Sequence, residues 1–342
     1  MDHRVAAELV GAPWVSRHEM NPLLKPSDVP YPSSLTFNAG VARFEGRYVM
    51  VFRNDYFPDD DVRNPGSTSL GFADSDDGIR WQVRATPFLS ADQARVAGGT
   101  CYANRGPEVV HRIYDPRITV VDGVPHVCFA MDTVHGVRSG VATTRDFETF
   151  DIVSVSAPEN RNTVLFPQRI HGDFVRLERP FPVYSRPEPE AFDIWIASSP
   201  DLLHWGGHDL VLGVEDVPFS NRKIGPGAPP IRTPRGWLTT FHAVDYDESR
   251  GKNGWEETWK KRYTIGLMLL DPDDPRRVVG LSREPLMVPE ADYERFGFRG
   301  DVLFPGGMVA DGDEVRIYYG AADTVECLAT ADLADLLSFV GA

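Results

Sequence analysis

Residues 114–130 read Tyr-Asp-Pro-Arg-Ile-Thr-Val-Val-Asp-Gly-Val-Pro-His-Val-Cys-Phe-Ala, two apolar strands joined at Asp122-Gly123. Asp-Gly between β-branched runs is a strong hairpin signal, because both turn positions need positive φ. Ahead of the hairpin stands Asp115-Pro116. An Asp-Pro step is ordinarily a turn, since Asp bonds backbone two residues on and Pro pushes its predecessor out of the helical region. Here it also sets a carboxyl at the mouth of a strand, and related strand starts recur along the chain.

The recurrence decides the fold. Each unit has an apolar strand, a Gly-containing turn, a second apolar strand and a more polar continuation. The turns are Glu45-Gly46, Asp122-Gly123, His171-Gly172, Arg235-Gly236 and Asp311-Gly312. Three units also carry an acidic turn before an aromatic residue: Ser75-Asp-Asp-Gly-Ile-Arg-Trp81, Thr144-Arg-Asp-Phe-Glu-Thr-Phe150 and Ser199-Pro-Asp-Leu-Leu-His-Trp205. In these the Asp closes the turn on backbone N–H groups and the ring packs between units. Five four-stranded units predict an all-β chain folded as one five-bladed β-propeller, with blades near 37–83, 114–153, 162–212, 223–279 and 301–330. A two-sheet sandwich is the alternative, and it leaves the repeat unexplained. Short helical segments are expected at the ends, over 2–10 and 330–340.

Composition narrows the partners. The chain has 342 residues, 42% hydrophobic and 25% charged, enough to bury a sizeable core. Its net charge of -15 makes nucleic acid and anionic membranes poor partners. Cys101, Cys128 and Cys327 are few and widely spaced, which argues for a reducing compartment and a cytoplasmic protein. The N-terminus shows neither a signal peptide nor a membrane span. No histidine or acidic spacing suggests a metal site.

In a propeller the innermost strands bring side chains to the axis. The first unit offers Asn38 and Arg53, and the second offers Tyr114, Asp115 and Arg117. The third offers Asn160, Arg161, Asn162 and Arg179. The fourth offers Lys223, ahead of Gly225-Pro226-Gly227, and His242; the fifth offers Asp301, Tyr318, Tyr319 and Asp323. Taken alone, each basic residue is more often a surface or salt-bridging group. Gathered at equivalent strand ends in an acidic protein, they suggest an anion site, phosphate for preference, because Arg forks bind its oxygens bidentately. His242 fits a core role and a proton-transfer role equally well.

With these residues in hand, the chain resembles glycoside hydrolase family 130, the β-mannoside phosphorylases and related mannosidases. The likeness runs from Asn21-Pro-Leu-Leu24 to Tyr318-Tyr-Gly-Ala-Ala-Asp-Thr324. It is carried by Tyr114–Thr119, Asn160-Arg-Asn-Thr-Val-Leu-Phe-Pro167, Arg179-Pro180, Ser199–Gly206, Lys223-Ile-Gly-Pro-Gly227 and Gly236-Trp-Leu238. The resemblance implies a five-bladed propeller, inversion at the anomeric carbon, Asp115 as the single general acid, and phosphate contacts from Arg161, Arg179 and Lys223. Asn38, Arg53, Tyr114, Arg117, Asn162, His242, Asp301 and Asp323 are then expected to contact substrate. Ser185–Glu190 and Phe57–Gly66 depart from the family's usual text, at what would be the pocket rim.

The expected activity is phosphorolysis of a β-mannoside to α-mannose 1-phosphate and an acceptor sugar, a glycosyl transfer with inorganic phosphate as co-substrate and no cofactor. Inverting hydrolysis needs a second carboxyl to activate water. Glu188, Glu190 or Asp301 would have to serve. A phosphorylase needs cations instead, and the inventory favours it over a β-mannosidase or a glycan-binding propeller. The acceptor, the linkage and a homo-oligomeric state stay open.

Overall fold

The computed structural model describes residues 5, 8–58, 66–98, 109–182, 186, 190–251 and 259–341. Its strands form five sheets, each running from an innermost to an outermost strand, and these are the blades of a five-bladed propeller. Blade one pairs Leu35–Phe44, Arg47–Tyr56, Ser67–Ser75 and Gln82–Val83, with Leu89–Ser90 also against its third strand. Blade two is Val110–Val121, Val124–Thr133, Gly136–Thr143 and Asp151–Val155; blade three is Asn160–Leu165, Phe174–Pro180, Ile194–Ser199 and Gly206–Leu212. Blade four pairs Lys223–Pro226, Gly236–Tyr246, Lys261–Leu270 and Val278–Leu281, with Ile231–Thr233 beside its second strand.

Blade five differs from the sequence expectation. Its own segment supplies Leu303–Asp311, Glu314–Ala321 and Val325–Asp332, and the fourth strand is Ser16–Arg17 from the other end of the chain. A repeat read within 301–330 cannot register a strand so remote in sequence. Arg17 locks this clasp, its Nε 2.7 Å and Nη2 3.0 Å from the carboxylate of the fully buried Glu294, which also accepts from Tyr319 Oη at 2.7 Å. A paired fork of this kind adds specificity to a strand of two residues that could not hold alone.

Local chemistry explains the turns. Glu45-Gly46, Asp122-Gly123 and His171-Gly172 have positive φ at both residues, the mirror-image turn that matches strand twist. The acidic markers work as read. Asp77 Oδ1 accepts from the amides of Ile79 and Arg80, Asp146 Oδ1 from Glu148 and Thr149, and Asp201 Oδ1 from Leu203 and His204, all within 2.8–2.9 Å. The rings that follow sit between units. Trp81 meets Tyr318 of blade five edge-on at 6.0 Å, Phe150 packs on Phe88 at 5.5 Å, and Trp205 lies under Arg176 against side chains of blade two.

The hydrophobic core is divided among the blade boundaries. Separate clusters fill the gaps between blades four and five, three and four, one and two, five and one, and two and three. Each fully buried aliphatic or aromatic side chain contributes about 1.5–3 kcal/mol, so the ring is held by its seams. Near the axis the inner strands touch backbone to backbone. A Cβ on Gly306 would come 2.0 Å from the Ala39 carbonyl oxygen, and one on Gly40 would come 2.7 Å from Arg117 Cα. Only glycine allows that approach.

At the C-terminus the helix is shorter than expected. Residues to Asp332 continue as strand, and Asp332 accepts from Ala334 N at 2.8 Å to start a helix at Leu333–Phe339. The helix expected over 2–10 lies largely outside the described residues, and residues 8–10 are irregular. Among the described residues no helix is long and apolar enough to cross a membrane. Cys128 and Cys327 are free and buried, and Cys101 lies outside the described residues.

Candidate active site

In blades one, two and three the innermost strand slips register at the same place: between Phe37 and Gly40, Tyr114 and Arg117, and Arg161 and Val164. The first residue inside each slip is left-handed, with φ of 52° at Asn38, 52° at Asp115 and 58° at Asn162. A bulge re-aims a side chain, and Asn and Asp tolerate this backbone better than other residues with a Cβ. One backbone device therefore delivers three polar groups to the propeller's centre. The result is a contact across blades: Asn38 Nδ2 donates to Asp115 Oδ1 at 2.9 Å.

Asp115 has a side chain only 10% exposed, with Arg53 Nη1 at 3.4 Å from the same oxygen. Burial alone would raise its pKa. Arg53, the Asn38 hydrogen bond, Arg117 and Arg161 outweigh burial and hold the free carboxyl below its ordinary value. Arg53 is itself clamped by Asp55, Nε at 3.0 Å and Nη2 at 2.6 Å. Asp323 shows the opposite shift: it is raised, first by burial and further by Asp115, against the pull of Arg299 at 3.3 Å and of Arg53. The site thus holds two carboxyls whose proton affinities are driven apart.

On the blade-three and blade-four side lie the cations. Arg161 Nη1 donates to Tyr114 Oη at 3.4 Å, and Tyr114 Oη donates to Asp132 at 2.6 Å. Arg179, 1% exposed, donates from Nη1 to His242 Nε2 at 3.0 Å. A guanidinium only donates, so His242 accepts at Nε2 and its proton belongs on Nδ1. His242 Nδ1, Arg161 Nε, and Arg179 Nε and Nη2 are buried with no partner among the described residues. Orphaned donors of this kind are rare in folded proteins and call for an explanation.

The electrostatics agree. Burial, then Arg179, Lys261 and Arg161 push Lys223 well below the ordinary lysine value. Burial and then Arg161 bring Arg179 down to about 9, and burial with Arg179 and Lys223 keeps His242 neutral. Tyr263, stacked on His242 at 6.1 Å, is pushed up to about 12, chiefly by burial. Among the described residues, three basic side chains with unused donors are buried together with a neutral histidine, a donor set able to hold a tetrahedral anion.

Some expected site residues are employed elsewhere. Arg117 was expected to contact substrate. It is 1% exposed and donates to three carbonyls, Gly227 O at 2.6 Å, Pro116 O at 2.8 Å and Pro305 O at 3.0 Å. It ties blade two to blades four and five where the inner strands abut, which spends its fork on backbone. Tyr318 and Tyr319 are fully buried and bond Gly78 O and Glu294, away from the axis. Asn162 is buried with Oδ1 unpartnered, and Asp301 is half-buried, left-handed, just before the inner strand of blade five. Glu188 and most of the two unusual rim loops lie outside the described residues. Among the described residues no group of three or more His, Cys, Asp or Glu could hold a metal.

A sequence model of glycoside hydrolase family 130, described as beta-1,4-mannooligosaccharide phosphorylase, matches residues 11–342. The chain belongs to glycoside hydrolase family 130. Its relatives in the family include the Beta-1,2-mannobiose phosphorylase of Listeria innocua, 31% identical over 91% of this chain and 94% of that protein. Another is the Beta-1,4-mannooligosaccharide phosphorylase of Ruminococcus albus, 32% identical over 95% of this chain and 90% of the other. Among solved structures, the Listeria innocua enzyme in complex with beta-1,2-mannobiose superposes with a TM-score of 0.78 at 28% identity, covering 96% of this chain and 99% of that one.

Within this family 130 chain, several residues around the site escaped the sequence reading: Asp55, Asp132, Phe181, Phe192 and Tyr263. Asp55 had a signal, because Arg53 and Asp55 are two apart on one strand and so share a face. The others come from second or third strands or from loops, and nothing in their spacing ties them to Asp115.

Proposed function

We propose that this family 130 protein is an inverting β-mannoside phosphorylase, with Asp115 as general acid and Arg161, Arg179 and Lys223 as the seat of inorganic phosphate. The observation that carries the reading is the set of buried donors on Arg161, Arg179 and His242 that find no partner among the described residues, beside a single bulge-held carboxyl. A hydrolase has no use for such donors, whereas a bound phosphate satisfies them.

A phosphate oxygen attacks the anomeric carbon from the α side while the bond to the β-linked leaving oxygen breaks. That oxygen takes a proton supplied by Asp115, directly or through a sugar hydroxyl as the family resemblance suggests. Over the cycle the proton is the one hydrogen phosphate gives up on becoming a phosphate ester. The depressed pKa of free Asp115 fits this order of events. An anion set against Arg161 cancels part of the field that keeps the carboxyl ionised, so phosphate binding raises its proton affinity. Asn38 and Arg53 hold Asp115 in place, and the raised Asp323 donates to or accepts from a mannose hydroxyl.

Hydrolysis fares worse as a reading. Glu190 is ion-paired to Lys261 at 2.9 Å, and Lys223 and Lys261 hold it below its ordinary value despite burial, which makes it a weak base. The co-substrate is inorganic phosphate, no organic cofactor is needed, and the thiols suit a cytoplasmic setting. The test is to incubate the protein with β-1,2- and β-1,4-mannobiose with and without phosphate. Phosphate-dependent release of α-mannose 1-phosphate is expected; equal turnover to free mannose in phosphate-free buffer overturns the reading.

A further inference from the structure

Arg161, Arg179 and Lys223 form no ion pair among the described residues, yet they stay packed together. Asp115 acts on Arg161 and Arg179, and Glu190 on Lys223, only through space, which leaves part of the repulsion among the three buried cations to be offset by other groups. The rings of Phe181 and Phe192 stack beside them, centroids 4.9 Å apart and planes inclined by 5°. The Arg161 guanidinium lies 5.3 Å from the Phe181 centroid, and that of Arg179 lies 5.6 Å from Phe181 and 5.3 Å from Phe192. Lys223 Nζ is 6.0 Å from Phe192 and 5.7 Å from Tyr263.

Main-chain bonds fix both rings. Phe181 N donates to Glu159 O at 2.9 Å, and Phe192 bridges Lys223, its carbonyl accepting from Ile224 N at 2.9 Å. An aromatic face attracts a cation through its quadrupole, and the attraction grows when water is excluded. Unlike a carboxylate, it has no lone pairs to occupy the N–H donors and no charge to compete with an incoming anion.

We propose that the Phe181–Phe192 stack is a positioning element of the phosphate site, offsetting part of the repulsion among Arg161, Arg179 and Lys223 so that they stay fixed and open to the anion. The inference rests on the phosphorolytic reading above. The groups facing Lys223 are Arg161, Arg179, Lys261, Glu190, His242 and Tyr263, so removing a π face leaves a net repulsion that favours loss of its proton.

The experiment is steady-state phosphorolysis by Phe181→Leu, Phe192→Leu and the corresponding Phe→Tyr variants, with thermal unfolding measured alongside. Each Leu variant is expected to raise the phosphate KM roughly 3- to 30-fold while leaving the mannoside KM within about twofold. The effect should be larger near pH 8.5 than near pH 6.5, because Lys223 sheds its proton more readily without the ring. The Tyr variants, which keep the π face, should stay near wild type. If a Leu variant does not fold, Phe192→Met takes its place under the same criteria. Folded Leu or Met variants with unchanged phosphate KM, or Tyr variants that lose as much as Leu variants, overturn the inference. Phosphate-independent turnover by wild type would instead sink the underlying reading, together with this inference.

Discussion

Asn38 and Asp115 occupy the same bulge position in neighbouring blades, both with φ of 52°, and Asn38 Nδ2 donates to Asp115 Oδ1 at 2.9 Å. The bond favours the ionised carboxyl, so removing it must raise the pKa of Asp115. Asn38→Gly accepts the left-handed backbone and deletes the donor. A hydrogen bond to a charged group contributes about 1.5–3 kcal/mol, and a pKa unit corresponds to about 1.4 kcal/mol, so a rise of about one to two units is expected. It should appear as a shift of the alkaline limb of kcat/KM to higher pH. An unmoved limb would refute the coupling.

Asp115→Asn keeps the shape and tolerates the positive φ but cannot supply a proton. Turnover should fall by roughly 10²–10⁴-fold while the unfolding temperature changes little and sulfate binds no more weakly than to wild type. A folded variant with near-wild-type rates would remove Asp115 from the chemistry.

Arg117 separates a structural role from a substrate role. Arg117→Met strands three buried carbonyls at the meeting point of blades two, four and five. A loss of about 3–5 kcal/mol in urea unfolding is expected, and Arg117→Lys should not restore it, because an ammonium lacks the planar fork that reaches all three. If stability holds and only the sugar KM moves, Arg117 belongs to the substrate site after all.

Lys223 couples anion binding to pH. Its pKa in the free fold lies well below the ordinary value of 10.5, so this group disfavours the free fold at low pH, and the penalty fades as pH rises toward that value. A bound anion favours the protonated form. Sulfate, whose own charge is constant, should therefore bind with proton uptake and weaken as pH climbs between the depressed and ordinary values. Calorimetry in two buffers of different ionisation enthalpy reads the uptake. Lys223→Met should abolish it and raise the phosphate KM roughly 10- to 100-fold; wild-type binding with no proton uptake would refute the linkage.

Much of the architecture was legible because it is local. The turns at Glu45-Gly46, Asp122-Gly123 and His171-Gly172 need residues that accept positive φ, and the markers at Asp77, Asp146 and Asp201 close turns on amides two and three residues ahead. Such features leave a signature in spacing, and their repetition identifies the propeller. The clasp by Ser16–Arg17 and the seat of Arg117 left none, since each depends on backbone brought from remote parts of the chain.

The sequence by itself determined the blade repeat, the polar residues at strand starts, and the excess of cations over carboxylates near Asp115. The tertiary structure decided which of those side chains meet. Ring closure turns equivalent bulges toward each other, so Asn38 reaches Asp115; it buries Arg117 among carbonyls, and it sets Phe181 and Phe192 against Arg161, Arg179 and Lys223. The reason is physical: φ preferences and turn bonds act over a few residues, whereas desolvation, Coulomb fields and π faces act through space, and only closing the ring sets those distances.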